Sequence, residues 1–262
     1  MEPSPVLRTS PTTQRLLHYW WPMVLGWSLV QVVGRSLGRE ADPFGLVALL
    51  AGVLAGYSLD RVLDAPRSGH GERLRRVLLG TGGLAAIVCG AAALRLPFGS
   101  AIAVPILGAL ALFHPRLKRR WPIKLVLLPI VWVLAVVALP FPDGGAFAWR
   151  SLGQPVVAVL FLLVAAGCFL CDLKDERADA AASVPSLVVL VGAVGAARIA
   201  RGLALVGATL ALAIGELELA VGGALLAAAA GHARLLAVDV LGPLLVDVLL
   251  SVPGILVAWR AG

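Results

Sequence analysis

Charge is what this chain has least of. Asp, Glu, Lys and Arg make up 14% of its 262 residues and hydrophobic side chains 60%. The mean hydropathy is +0.93, well outside the range of soluble globular domains. Apolar stretches recur along the whole chain, broken only by short charged loops, so a soluble domain of useful size fits nowhere. Residues 1–262 read as a single membrane domain. Cysteine is scarce as well. Cys89, Cys168 and Cys171 are too few, and too apolar in setting, for a disulfide framework. The CxxC of the last two lies inside an apolar helix with no second pair, and the three read as small buried hydrophobes. The first fifteen residues lack the apolar core of a cleavable signal peptide and read as a cytoplasmic tail.

What is abundant is long apolar sequence. A spanning helix needs about 20 mostly apolar residues, and the charged breaks divide the chain into nine such segments: 16–35, 43–59, 75–94, 98–114, 122–140, 154–171, 184–214, 217–231 and 240–259. The seventh is expected to be bent or broken around Arg198 and Arg201. The predicted fold class is all-α, a polytopic membrane bundle of about nine transmembrane helices. The Gly and Ala residues of 222–231 suit close helix packing in lipid. Lys and Arg crowd the loops of one side, from Arg61 to Arg76, Arg116 to Lys124 and Lys174 to Arg177, and this bias places that side and the N-terminus in the cytoplasm. The net charge of +7 is accounted for by these loops and by anionic membrane lipid, so nucleic acid is not an expected partner. Trp20, Trp21, Trp121, Trp149 and Trp259 fall near span ends, as aromatic belts do.

The 15 acidic residues are unevenly spread. Asp60 and Asp64 follow the second span, and Asp172, Asp175 and Asp179 follow the sixth, both on the predicted cytoplasmic side. If the sixth helix continues through its motif, 100° per residue puts Asp172, Asp175 and Asp179 on a face about 60° wide. Asp60 and Asp64 are one turn apart and also neighbours. Like charges so close repel, and more strongly where water is scarce, so a cation is required. Carboxylate oxygens without His or Cys suit Mg²⁺ or Ca²⁺ rather than zinc. Magnesium is typically held by one or two carboxylates plus substrate phosphates. Two carboxylate clusters with cations alongside therefore suit a diphosphate bridged by Mg²⁺. Arg61, Arg67, Lys174 and the run Arg116 to Arg120 supply those cations.

These residues resemble a known family. DLKDERADAAASVPSL, followed by VVLVG, resembles the second aspartate-rich motif of UbiA-type intramembrane prenyltransferases, DxxDxxxD, then a Gly, then TL and LG. Ser183 stands at the Gly position and Ser186 at the Thr position, while Leu187 and Gly192 match. GYSLDRVLD is similar to the family's NDxxDxxxD: Asp60 and Asp64 match its later aspartates and Arg61 a common DR pairing, but Gly56 replaces the Asn and Tyr57 the first Asp. FHPRLKRRWPIK is similar to the segment after the fourth span, with His114 at the Tyr of a YxxxK pattern and Leu117, Lys118 and Arg119 as its LKR. The sequence-specific part of the resemblance covers about fifty residues.

The resemblance implies a bundle around a central cavity, open to lipid for an isoprenoid tail and capped on the cytoplasmic side. It implies transfer of a prenyl group from a polyprenyl diphosphate to an aromatic or other lipophilic acceptor, with Mg²⁺, in a bacterial or archaeal plasma membrane. Asp60, Asp64, Asp172, Asp175 and Asp179 are then the expected catalytic metal ligands, directly or through water. Arg61, Lys118, Arg119 and Lys174 are expected at the diphosphate, and Tyr57 and His114 at the substrate cavity. A second reading, raised by Gly56 and Tyr57, keeps the fold and replaces turnover with binding of an isoprenoid or a membrane partner. A third, a small transporter, predicts acids near the bilayer midplane, and only Asp247 lies inside a span.

Overall fold

A computed structural model of the chain describes residues 11–68, 72–117, 120, 122–143, 147–238 and 240–261, with the side chains of 11–19, 64–68, 73, 115 and 261 left aside. The described residues are almost wholly helical. Nine helices run for 14 residues or more: α1 (Pro11–Leu37), α2 (Pro43–Ser68), α3 (Glu72–Ala93), α4 (Phe98–Leu117), α5 (Ile123–Ala138), α7 (Pro155–Cys171), α9 (Leu187–Ala213), α10 (Leu217–Ala230) and α12 (Leu241–Ala261). They match the nine apolar segments of the sequence in order. Short helices α6 (Trp149–Leu152), α8 (Glu176–Ala181) and α11 (Ala233–Leu236) fill the connections. Among the described residues, five helices are long and apolar enough to cross a membrane; Phe98–His114, Ile123–Ala138 and Leu217–Ala230 are shorter apolar ones.

Local chemistry sets several boundaries. Asp42 Oδ1 accepts a hydrogen bond from the Gly45 amide at 2.8 Å, satisfying one of the orphan donors at the start of α2. Pro155 opens α7 at a first-turn position, where its missing N–H costs nothing. The helices form a ring: α1 packs on α2 and α12, α2 on α3 and α4, α4 on α5, α5 on α7, and α7 on α9, α10 and α12. Leu25, Leu29 and Val33 of α1, Val136 and Val137 of α5, Leu160 and Leu163 of α7 and Val246 of α12 are buried among these helices. Leu84, Ile87, Val194 and Leu212 point outward, which in a membrane is the lipid-facing side. Helix association in lipid depends on close approach and interhelical hydrogen bonds, and the α1–α12 contact has both. A Cβ on Gly254 would collide with the backbone of Ser28. Ser28 Oγ donates to the Ser251 carbonyl at 2.6 Å and accepts from the Gly254 amide at 3.2 Å.

Two sequence expectations are corrected. The break in the seventh segment falls at Gly192, not around Arg198 and Arg201, which lie in regular helix. Gly192 has φ 73° and ψ 164°, a region essentially restricted to glycine because a Cβ would clash there. The sixth helix does not continue unchanged through its aspartate motif. It ends at Cys171, tightens to a 3₁₀ turn over Asp172–Asp175, and resumes as α8.

Candidate active site

The two aspartate stretches come from opposite sides of the ring, on α2 and on the α7–α8 junction, and one loop serves both. That loop joins α4 to α5. On its N-terminal flank, His114 of α4 places Nδ1 3.6 Å from Asp60 Oδ1 of α2. On its C-terminal flank, Lys124 of α5 places Nζ 3.4 Å from Asp172 Oδ2 and 2.5 Å from Asp179 Oδ2. Both motifs therefore lie at the same end of the bundle.

The tightened turn explains why three aspartates do not act alike. Asp172 and Asp179 converge on one ammonium, and Lys124 is well buried there, its side chain 11% exposed. Asp175 is more open and pairs with its neighbour Lys174 at 2.7 Å. An ammonium bridging two carboxylates relieves the repulsion that their spacing creates. Lys124 was missed by sequence reasoning. Its signal was its place at the end of FHPRLKRRWPIK, where it read as one more topology-setting cation.

The other expected residues fall as follows. Tyr57 is partly buried on α2 and packs against the core. Arg61 follows Asp60 on the same helix, partly buried. The backbone of Asp64 continues α2, but its side chain lies outside the described residues, as do Lys118 and Arg119. A Cβ on Gly56 would meet open space, so the departure from the family pattern there is not a packing requirement. Ser183, at the family's Gly position, has φ 53°, a left-handed conformation that glycine adopts with less strain. Trp149 and Trp259 are exposed near helix ends, as expected of aromatic belts, whereas Trp20, also exposed, lies well inside α1.

The carboxylates suit a hard divalent cation. Lys124 Nζ is a stand-in cation, and its distances demonstrate that Asp172 and Asp179 can address one positive centre. Among the described residues no group of three or more His, Cys, Asp or Glu is gathered as a metal cage.

The fold is that of a known class of membrane proteins. The chain resembles the apo structure of a UbiA homolog from Aeropyrum pernix K1 with a TM-score of 0.66 at 18% identity, over 91% of this chain and 98% of that one. It resembles a UbiA homolog from Archaeoglobus fulgidus, bound to GPP and Mg²⁺, with a TM-score of 0.59 at 15% identity, over 92% and 98%. The same homolog bound to DMAPP and Mg²⁺ gives 0.59 at 16% identity. The chain thus has the UbiA-type helical fold and is a multi-pass membrane protein. No family model matches its sequence, and none of the curated proteins does.

Proposed function

We propose that the protein is an intramembrane prenyltransferase, moving a prenyl group from a polyprenyl diphosphate to a lipophilic acceptor at the cytoplasmic end of the bundle. The observation that carries this reading is the convergence of Asp172 and Asp179 on one cationic centre, tied through the α4–α5 loop to the end where Asp60 lies. The Archaeoglobus homolog of the same fold, with GPP and Mg²⁺ bound, supports it.

In this reading Asp172 and Asp179 would hold Mg²⁺, with Asp175, Asp60 and Asp64 as further or water-mediated ligands. Bound there, it would supply positive charge against the charge that builds on the departing diphosphate. Lys124 holds the two carboxylates together before substrate arrives, and Lys174, Arg61, Lys118 and Arg119 supply positive charge to phosphate oxygens. His114 steadies Asp60. The apolar helices shield the allylic cation from water. The carbon–oxygen bond to diphosphate breaks, the acceptor bonds to the prenyl carbon, and the acceptor loses a proton.

A second reading, binding without turnover, is favoured by Tyr57 where the family pattern has a carboxylate. The test is to incubate the purified protein in lipid with labelled polyprenyl diphosphates of several lengths and a panel of acceptors, with Mg²⁺ or EDTA. Metal-dependent transfer that disappears in Asp172→Ala supports the enzyme; metal-dependent binding with no transfer supports the second reading. Neither binding nor transfer overturns both.

A further inference from the structure

Helix α4 carries apolar residues on its outer side as well as its inner one. It packs on α2, α3 and α5, yet Ile106, Leu112 and Phe113 are exposed. Ile106, Leu110, Phe113 and Leu117 recur three or four residues apart and so form one stripe along the helix. With Ala109 they line a groove of about 560 Å³, whose other lining residues are Arg116 and Arg120. The two arginines thus stand at one end of an apolar trough, the end where the aspartate site lies.

Neither arginine is spent on the carboxylates. Arg116 lies two residues past His114, about 200° around the helix, so with His114 turned toward Asp60 of α2 Arg116 faces the other way. Both arginines are exposed, and among the described residues neither has an ion pair. Two guanidiniums beside apolar surface call for an anion, and their planar donors match phosphate oxygens. From Ile106 to Leu117 the helix rises about 16 Å, half of the ~30 Å hydrocarbon thickness of a bilayer. The trough is therefore one leaflet deep, with its charge at headgroup level. A second copy of this chain fits poorly, because a two-fold contact on this stripe would set each arginine pair against its equal.

We propose that this face of α4 docks an anionic phospholipid of the leaflet at the site end, with an acyl chain along Ile106, Leu110 and Phe113 and the headgroup phosphate on Arg116 and Arg120. A zwitterionic lipid fits less well, since its own cation is repelled where two guanidiniums stand without a carboxylate. The docking site requires that the chain cross a membrane; it does not rest on prenyl transfer.

The test uses the full chain in detergent, titrated with dioleoyl phosphatidylglycerol or dioleoyl phosphatidylcholine, with the bound lipids counted by native mass spectrometry. The first phosphatidylglycerol is expected to bind about tenfold more tightly than the first phosphatidylcholine, the scale of two arginines acting on one anionic headgroup. Arg116→Gln with Arg120→Gln removes that preference. Arg198→Gln with Arg201→Gln, which takes equal charge from the exposed face of α9, changes it by no more than about twofold. Ala109→Trp fills the trough at an exposed position and weakens the first phosphatidylglycerol by about threefold. Geranyl diphosphate with Mg²⁺ does not displace the lipid. No preference in the wild type, equal losses in the two arginine pairs, or full affinity in Ala109→Trp overturns the proposal. Displacement by geranyl diphosphate overturns it too, since the groove would then belong to the substrate. If the Arg116 and Arg120 variant does not fold, Ala109→Trp alone decides.

Discussion

The two ends of the bundle treat carboxylates differently. At the end opposite the site, cations and donors outnumber acids. Glu218, 1% exposed at the start of α10, pairs through Oε1 with both Arg35 of α1, at 2.6 Å, and Arg260 of α12. Asp143, after α5, takes the Arg39 guanidinium at 3.1 Å, Ser151 Oγ at 3.0 Å and the Arg150 amide at 2.9 Å. At the site end Asp172 and Asp179 share the one ammonium of Lys124. An acid with two cations or several donors of its own fastens helices; two acids on one ammonium have capacity left for a cation.

The sharpest way to break this contrast is to neutralise one acid at the site. Asp172→Asn is expected to lower prenyl transfer by about 10² to 10³-fold, the scale of losing a group that stabilises transition-state charge. Its melting temperature should hold or rise, because the repulsion with Asp179 is gone. A variant that loses stability and keeps transfer would mean that Asp172 is a fastening, like Glu218. Next in size is the opposite end. Arg35→Met with Arg260→Met leaves Glu218 buried without its cations, at a cost of about 3 kcal/mol in denaturant unfolding. Transfer per folded molecule should be unchanged.

Lys124→Met tests the shared cation. With its ammonium gone, Asp172 and Asp179 face each other, and a loss of about 2 kcal/mol is expected, smaller than for a fully buried pair since both acids retain some solvent contact. Millimolar Mg²⁺ should restore part of the melting temperature, and should do far less for the wild type. Equal rescue of both would mean that the divalent ion binds elsewhere.

The helical architecture was legible because long apolar segments can only be buried in a bilayer as helices. The position of the break in α9 was less so. Two arginines in an apolar run look like an interruption, yet the backbone turns at Gly192, whose φ of 73° is invisible to hydropathy. The carboxylates of the site were legible as a spacing, and their division of labour was not. Helical geometry put Asp172, Asp175 and Asp179 on one face, whereas the 3₁₀ turn leaves Asp175 with Lys174 and sends the other two to Lys124. Lys124 comes from another helix, so no local period announces it. Asp247 was visible as a charge inside a span. Whether it had a partner depended on other helices.

The smallest effect expected is a pH dependence that separates the two ends. Burial raises the Asp143 carboxyl, but hydrogen bonds from Ser151 Oγ, the Arg150 and Ser151 amides and Arg39 more than offset it, and the group sits below the ordinary aspartate value of 3.8. A carboxyl held lower in the folded state than in the unfolded one contributes stability at all pH values above the unfolded value. That contribution is lost as pH falls through the folded one. Unfolding measured from pH 7 downward should therefore show the Asp143 contribution intact through neutral and mildly acidic pH and fading only below about pH 4. Because Arg39 is partly exposed and screened, the loss should stay under about 1 kcal/mol, and Asp143→Asn should remove it. If that variant leaves the acid limb of the stability curve unchanged, the carboxylates that fail in acid are those of the site end, and the contrast between fastened and undersupplied acids would have to be drawn the other way.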